Sequence, residues 1–275
     1  MSEAISVHHG DFGRAAIYQL SKPITTHAHR EGHLIFYIGG GTAKVPVGGT
    51  EFAIHSGQAV GVSPWESHAF ELDDPNDPCL CLVLYIKPIW FVEAGRCADY
   101  GLSFGGPGID LNAELVSWVS RLTTLLMEEE SSDLFDRYLF ETASRCYDES
   151  WRGTKEGSAV TLARSKFSDF RVRRSLKIMR ENFADEVDIE WLAREAGLSR
   201  PHFFKLFKKQ MGITPNLYLN TLRSEQAIED LMTTSKSVTE ISYDLGFSSQ
   251  ASFTRFFTSN VGIPPSDYRR VAHVS

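Results

Sequence analysis

Four histidines have the type and spacing to act together. His27, His29 and His33 are separated by even numbers, so in one extended strand all three would point to the same face. His68 follows in GVSPWESHAF, after a turn at Pro64. Imidazole is a borderline nitrogen ligand, so an all-histidine set suits Zn, Fe, Ni or Cu rather than Mg or Ca. Glu31 stands near enough in the chain to replace one of the four. The same residues have a second reading: a pocket lining that holds no metal and hydrogen-bonds a ligand or the backbone. Phe36, Tyr37, Trp65 and Phe70 lie in the same strands, where they serve either as core packing or as the wall of an effector pocket.

A second set of residues has the chemistry to meet a nucleic acid, and it is set out by a repeat. DIEWLAREAGL (Asp188–Leu198) overlays SVTEISYDLGF (Ser237–Phe247) at an offset of 49, and one inserted residue then makes the offset 50. Phe203 matches Phe253, Lys205 matches Arg255 and Phe207 matches Phe257, while Gly212, Ile213, Pro215 and Tyr218 match Gly262, Ile263, Pro265 and Tyr268. A repeat of this length marks a structural unit used twice. In each copy the helix after the glycine has two faces. Phe203, Leu206 and Phe207 turn inward in the first, leaving Arg200, Pro201, Phe204, Lys205 and Lys208 outside. Phe253, Phe256 and Phe257 turn inward in the second, leaving Ser249, Gln250, Ala251, Thr254 and Arg255 at the surface. Lysine and arginine meet phosphates, Gln pairs with adenine, Arg with guanine, and Ala or Thr with a thymine methyl. Any one such residue alone would be an ordinary solvated position; two matching faces at one offset are not.

The elements that must hold these side chains follow from periodicity and punctuation. Residues 1–107 read as short strands (Ala15–Leu20, Leu34–Ile38, Thr42–Val47, Ala59–Val62, Leu80–Ile86) separated by glycine-rich turns, the pattern of a barrel or sandwich. From Gly108 the period lengthens to about 3.6, and residues 108–151 form a helical pair whose apolar stripes either cover the barrel or make a homodimer seam, with a slight preference for the seam. Residues 152–170 lose periodicity and read as a linker. The last stretch, 171–275, is helical. Val172, Leu176, Met179 and Phe183 form one amphipathic stripe. Asp188 caps a short helix ending near Gly197, and Ser199 opens the next, which is the helix-turn-helix pattern. Ser237 and Glu240 repeat that start with capping-box spacing. Thr214 and Pro215 begin the long helix, about 215–232, that joins the two units. The class is therefore α+β with two domains: a β-barrel with packed helices, then an all-α domain of two helix-turn-helix units.

Composition narrows the function further. The 275 residues carry a net charge of −7, but residues 165–275 hold 16 Lys and Arg against 13 Asp and Glu, a net of +3, and the rest a net of −10. A basic C-terminal part beside an acidic body fits a nucleic-acid-binding module joined to one that does not bind. No apolar run reaches the roughly 18 residues of a membrane span, and MSEAISVHHGDFGR has neither the basic nor the apolar region of a signal peptide. Cys79, Cys81, Cys97 and Cys146 show no disulfide or zinc-finger spacing, and Cys79 and Cys81 read as buried thiols. A cytoplasmic protein without a membrane partner is expected.

Residues 172–270 resemble the tandem helix-turn-helix domain of the AraC family of bacterial transcription regulators. The stretch VTEISYDLGFSSQASFTRFFTSNVGIPPSDYRR (Val238–Arg270) carries the likeness most specifically. The resemblance implies a sensor domain that binds a small effector and a second domain that reads double-stranded DNA, with RNA polymerase as a further partner for an activator. Carried over position by position, it makes Arg200, Pro201, Phe204 and Lys205 the base-facing residues of the first unit, and Gln250, Ala251, Thr254 and Arg255 those of the second. Pro201 and Phe204 depart from the usual pattern, being poor hydrogen-bonding readers. The N-terminal order HxH, glycine turn, PxxxH is similar to the two motifs of the cupin barrel, which hold a divalent metal on His, His, Glu and His. His33 stands where the glutamate is expected, so His27, His29, His33 and His68 are the implied ligands of a Zn, Fe or Ni ion. The alternative of a different class is a cupin-type metalloenzyme with an appended DNA-binding domain. It would need an acid–base pair or nucleophile, and none stands out.

Overall fold

A computed structural model describes residues 2–95, 102–128, 133–152, 169–185 and 187–274. The N-terminal strands form two sheets rather than one closed barrel. The larger, seven-stranded sheet has the order β10-β7-β4-β9-β2-β1-β11, and the smaller runs β3-β8-β5-β6. In the first are β1 (Glu3–Gly10), β2 (Gly13–Leu20), β4 (Gly32–Gly40), β7 (Gln58–Val62), β9 (Cys79–Ile86), β10 (Gly108–Asp110) and β11 (Ala272–Val274). In the second are β3 (Ile24–His27), β5 (Ala43–Val47), β6 (Thr50–Ile54) and β8 (His68–Leu72).

The five strands expected from sequence all appear, as β2, β4, β5, β7 and β9, with Thr42 falling just before β5. The near-continuous apolar runs of β2, β4, β7 and β9 arise because the large sheet is covered on both faces. In β9, Cys79, Cys81, Val83 and Tyr85 enter the core between the sheets, while Leu82, Leu84 and Ile86 face the helices on the outside. Those helices are α1 (Pro88–Gly95), α2 (Ala113–Met127) and α3 (Asp133–Ser150). Leu115, Val119, Leu122 and Leu126 of α2, with Leu139, Ala143 and Cys146 of α3, pack on Ala15, Ile17, Leu34 and Phe36. Of the two uses expected for the apolar stripes, covering the sheet is the one realised. A homodimer seam would have to use the outer face, where Val116 is 45% and Leu134 54% exposed. Cys79, Cys81 and Cys146 are buried free thiols; Cys97 lies outside the described residues, as does most of the expected linker.

The C-terminal part holds seven helices among the described residues: α4 (Phe170–Glu181), α5 (Ile189–Glu195), α6 (Arg200–Met211), α7 (Pro215–Thr233), α8 (Val238–Asp244), α9 (Gln250–Val261) and α10 (Pro265–Val271). The starts follow the expected caps. Asp188 accepts from the Glu190 N–H, Thr214 from Leu217 and Ser249 from Ser252. Ser237 and Glu240 complete a reciprocal capping box. The Gly246 turn tolerates no side chain: its φ is +78°, and a Cβ there would lie 1.9 Å from the Ala184 carbonyl oxygen.

Two boundaries drawn from sequence move. Gly108–Asp110 belongs to the sheet, paired with β7, and not to the helical pair. Ala272–Val274, at the far end of the chain, pairs in parallel with Val7–His9 of β1. The last strand of the polypeptide therefore closes an edge of its first sheet. A three-residue strand with so remote a partner has no local signature.

Candidate DNA interface and sensor sites

Both candidate recognition helices expose the residues expected at their surface. In α6, Phe203 and Phe207 are fully buried, and Arg200, Pro201, Lys205 and Lys208 are exposed, with Phe204 half-buried between them. In α9, Phe253 and Phe257 are fully buried, Gln250, Ala251 and Arg255 are exposed, and Ser249 and Thr254 are half-buried. Leu206 and Phe256, expected inside, are only half-buried. The outward side chains hold one another. The Arg200 guanidinium lies 3.8 Å from Glu190 and over the Phe204 ring. The Thr239 hydroxyl donates to Gln250 at 2.7 Å. A pair of exposed groups such as Arg200 and Glu190 is worth little and opens readily to a phosphate. Between the two helices, α7 runs unbroken and packs against both units.

The histidines also converge, but not as one strand. His27 ends β3, His29 lies in the loop 28–31, and His33 begins β4 in the other sheet. The turn at Arg30–Glu31 lets consecutive segments approach from two sheets, whereas a single strand would space the rings along one line. The β3–β8 register sets His27 directly opposite His68. Ring centroids are 4.2 Å apart for His27 and His68, 4.3 Å for His33 and His68, and 4.9 Å for His27 and His29. One ligand nitrogen from each of His27, His29 and His68 lies within 4.8 Å of the other two. His33 abuts the trio, and all four residues are buried. Burial, the leading cause in each, pushes the His27 imidazole down to about 4 and His29, His33 and His68 well below their ordinary range. Four neutral rings result, each with a lone pair to offer. Glu31 is outside this group and lines a cleft instead.

That cleft, of about 940 Å³, lies between the sensor sheets and α7. Its walls include Arg14, Lys87 and Trp90 from the sensor and Ile228, Met232 and Glu225 from α7. None of Phe36, Tyr37, Trp65 and Phe70 lines it. Phe36, on β4, faces the outer helices, and Phe70, on β8, faces the core between the sheets. The Tyr37 hydroxyl donates to the Gly40 carbonyl, and Trp65 stacks on Tyr218 at the start of α7, centroids 4.9 Å apart. Arg14, absent from the sequence-based candidates, is the buried cation of the site. It donates to the Tyr268 hydroxyl at 3.1 Å and lies 3.7 Å over the Tyr85 ring, and no carboxylate forms an ion pair with it among the described residues. An arginine at the head of the apolar run Ala15–Leu20 was the available signal.

Several contacts tie the sensor to the helical units. The Thr221 hydroxyl donates to the Ala28 carbonyl at 3.0 Å, the Arg30 N–H to Glu225 at 3.0 Å, and the Thr25 hydroxyl to the Ser259 carbonyl at 3.0 Å. The Arg30 guanidinium also contacts the Glu225 carboxyl. Burial, with the Glu31 carboxylate adding to it, pushes the Glu225 carboxyl up to about 8 against the pull of Arg30.

Comparison with known proteins places these features. A family model described as a helix-turn-helix domain matches residues 192–271. The transcriptional activator RhaS of Escherichia coli is 27% identical over 248 residues, covering 88% of this chain and 86% of that protein. The transcriptional regulator YdiP of Escherichia coli is 22% identical over 249 residues, covering 89% and 80%. Among solved structures, an apo single-substitution variant of ToxT of Vibrio cholerae superposes with a TM-score of 0.61 at 14% identity, covering 96% of this chain and 98% of that one. Wild-type ToxT bound to an unsaturated fatty acid superposes at 0.53 with 15% identity, covering 94% of each. At such identities the likeness to the solved structures is one of fold.

Proposed function

We propose that the chain is a DNA-binding transcription regulator of the AraC family in which α6 and α9 read successive major grooves under the control of a small anionic effector in the cleft beside α7. The observation that carries the reading is the duplicated unit: one scaffold appears twice, each copy with a polar recognition face, joined by the continuous helix α7. Such a spacer suits two grooves on one side of the duplex, about 34 Å or one turn apart. In the first unit Arg200, Lys205 and Lys208 meet phosphates while Pro201 and Phe204 touch apolar base edges. In the second, Gln250, Ala251, Thr254 and Arg255 read bases, and Ser249 fixes the start of the helix. A footprint of purified protein tests this: protected half-sites about 10 base pairs apart are expected, and a single short protected patch overturns it.

The cleft argues for the effector class. It joins an apolar wall (Trp90, Ile228, Met232) to the cations Arg14 and Lys87 at one end, while Asp11, Glu31, Asp136, Glu225 and Glu229 also line it, so the anion is assigned to the Arg14 end. A buried guanidinium without an ion-paired carboxylate favours an anionic guest, and the fatty acid held by ToxT unites a carboxylate with an apolar tail. A ligand there touches sensor and α7 at once, so by linkage it and DNA change each other's affinity by the same factor. Calorimetry with carboxylates of graded chain length should show affinity rising with length and falling in Lys87→Ala. Equal binding of the matching alcohols would sink the anionic assignment. The cytoplasm is the compartment this reading requires, and no helix among the described residues is long and apolar enough to cross a membrane. RNA polymerase is the regulator's partner if it activates, and a homodimer through the outer face of α2 and α3 would double the operator.

A further inference from the structure

We propose that His27, His29, His33 and His68 form a transition-metal site, and that its occupancy is transmitted to the DNA-binding part through the loop 28–31. The transmission rests on the regulator reading above; the metal site does not.

The argument begins with tautomers. The Nδ1 of His27 lies 2.7 Å from the Thr25 carbonyl oxygen, and the Nδ1 of His68 lies 3.0 Å from that of Glu66. A carbonyl oxygen only accepts, so in both rings the proton sits on Nδ1 and the lone pair on Nε2. A backbone carbonyl holding one ring nitrogen while the other is left to bind is the outer-shell arrangement of metal-ligating histidine. The free sides of the rings are then without partners. Nε2 of His68, Nε2 of His29 and Nδ1 of His33 are buried and make no hydrogen bond. Unpaired buried polar atoms are costly, and three in one cluster call for a common occupant.

The donor set selects the ion. Four neutral imidazoles carry no negative charge, so Mg and Ca, which need oxygen ligands, are disfavoured, whereas Zn, Ni and Cu accept nitrogen. The neighbouring cation, Arg14, is engaged by the Tyr85 ring and the Tyr268 hydroxyl.

The route to α7 is short. Only His29 among the four lies in a loop, and that loop makes the sensor's polar contacts with α7: Ala28 with Thr221 and Arg30 with Glu225. The His29 carbonyl also accepts from the Trp65 N–H at 2.8 Å. Trp65 is the one non-glycine residue with positive φ among those described, at +64°, and its ring stacks on Tyr218 of α7. A strained residue held between a ligand loop and a partner helix suits a contact that must respond. Binding at His29 would order the loop and with it both contacts to α7.

The test uses untagged, full-length protein, stripped with chelator and then loaded with Zn(II) or Ni(II) salts. Elemental analysis after gel filtration should find one metal per chain. His29→Gln and His68→Gln should each weaken retention by more than about tenfold, and His55→Gln, at an exposed histidine outside the cluster, should not. The folding of each variant is checked by near-ultraviolet circular dichroism, and stripped wild-type protein is a second metal-free comparator that carries no substitution. Metal loading should slow amide exchange in residues 28–31 and 217–225 several-fold, and Thr221→Val should weaken that response while one metal is still retained. No retained metal, or equal retention by folded His29→Gln and His68→Gln, overturns the site. Metal retained with unchanged exchange along α7 overturns the transmission. Loss of DNA binding in both stripped and loaded protein would instead defeat the regulator reading, since elemental analysis involves no DNA.

Discussion

The two helix-turn-helix units share a scaffold but not a setting. The second is built into the sensor. Phe253, Phe257, Ile263 and Tyr268 belong to the same apolar core as Tyr18, Val45 and Val83 of the sheets. A Cβ at Gly262 would lie 2.9 Å from Ile24, and β11 continues from α10 into the large sheet. The first unit has its own core, formed by Val172, Met179, Phe203, Phe207 and Leu222, to which the sensor adds Ala28 and the half-buried Trp65. Their second helices start differently as well: Ser249 accepts from the Ser252 N–H, while its counterpart Ser199 makes no side-chain cap hydrogen bond. One unit is thus anchored to the body and the other held by α7 and a few contacts. A signal reaching the loop 28–31 would move the first unit relative to the second, and so change the spacing or angle that two grooves demand.

The largest test of this contrast is in the cores. Phe203→Ala and Phe253→Ala each remove a buried ring, at a cost of about 3–5 kcal/mol. Exchange measurements should show Phe203→Ala loosening α4 to α6 while the sheets stay protected, and Phe253→Ala weakening sheets and second unit together. Equal spreading from both sites would mean the units are anchored alike. Next come the recognition faces. Arg255→Ala should cost about 1–3 kcal/mol at one base position, whereas Lys205→Ala should weaken all sites alike and lower the salt slope by about 1. Binding assays across single-base operator variants and salt concentrations separate the two patterns. The caps give a smaller effect. Ser249→Ala should lower stability by about 1 kcal/mol and Ser199→Ala by a few tenths, as read by denaturant melts.

The smallest effect is on pH. The docked Glu225 carboxyl keeps its proton up to about pH 8, whereas released to solvent it would titrate near 4.5. The docked form therefore binds the extra proton between those values, so docking weakens as pH rises through that window. Glu225→Gln should flatten the dependence while leaving an oxygen to accept the Arg30 N–H. An unchanged slope in the variant would assign the pH effect to other groups.

Much of this was legible in the chain because it is local. Caps at Asp188, Thr214 and Ser237, the left-handed glycines Gly197, Gly212, Gly246 and Gly262, and the inward phenylalanines are settled by neighbours within a turn or two of helix. So are the apolar runs that became β2, β4, β5, β7 and β9. The duplication then made two recognition faces readable without any tertiary knowledge. The histidines were legible as a set but not as a geometry, because even spacing suggests one strand and the turn at Arg30–Glu31 is a matter of how two sheets meet.

What the tertiary structure alone decided are the pairings between distant residues: His27 opposite His68, β11 beside β1, Arg14 beneath Tyr268, and Thr221 and Glu225 against the loop 28–31. Each depends on register and docking between segments remote in sequence, whose loop-closure cost is repaid only when the whole core forms. The sequence determined that there are two helices with matching outward faces and one set of ligand-type histidines; the fold determined that the loop carrying His29 also touches α7.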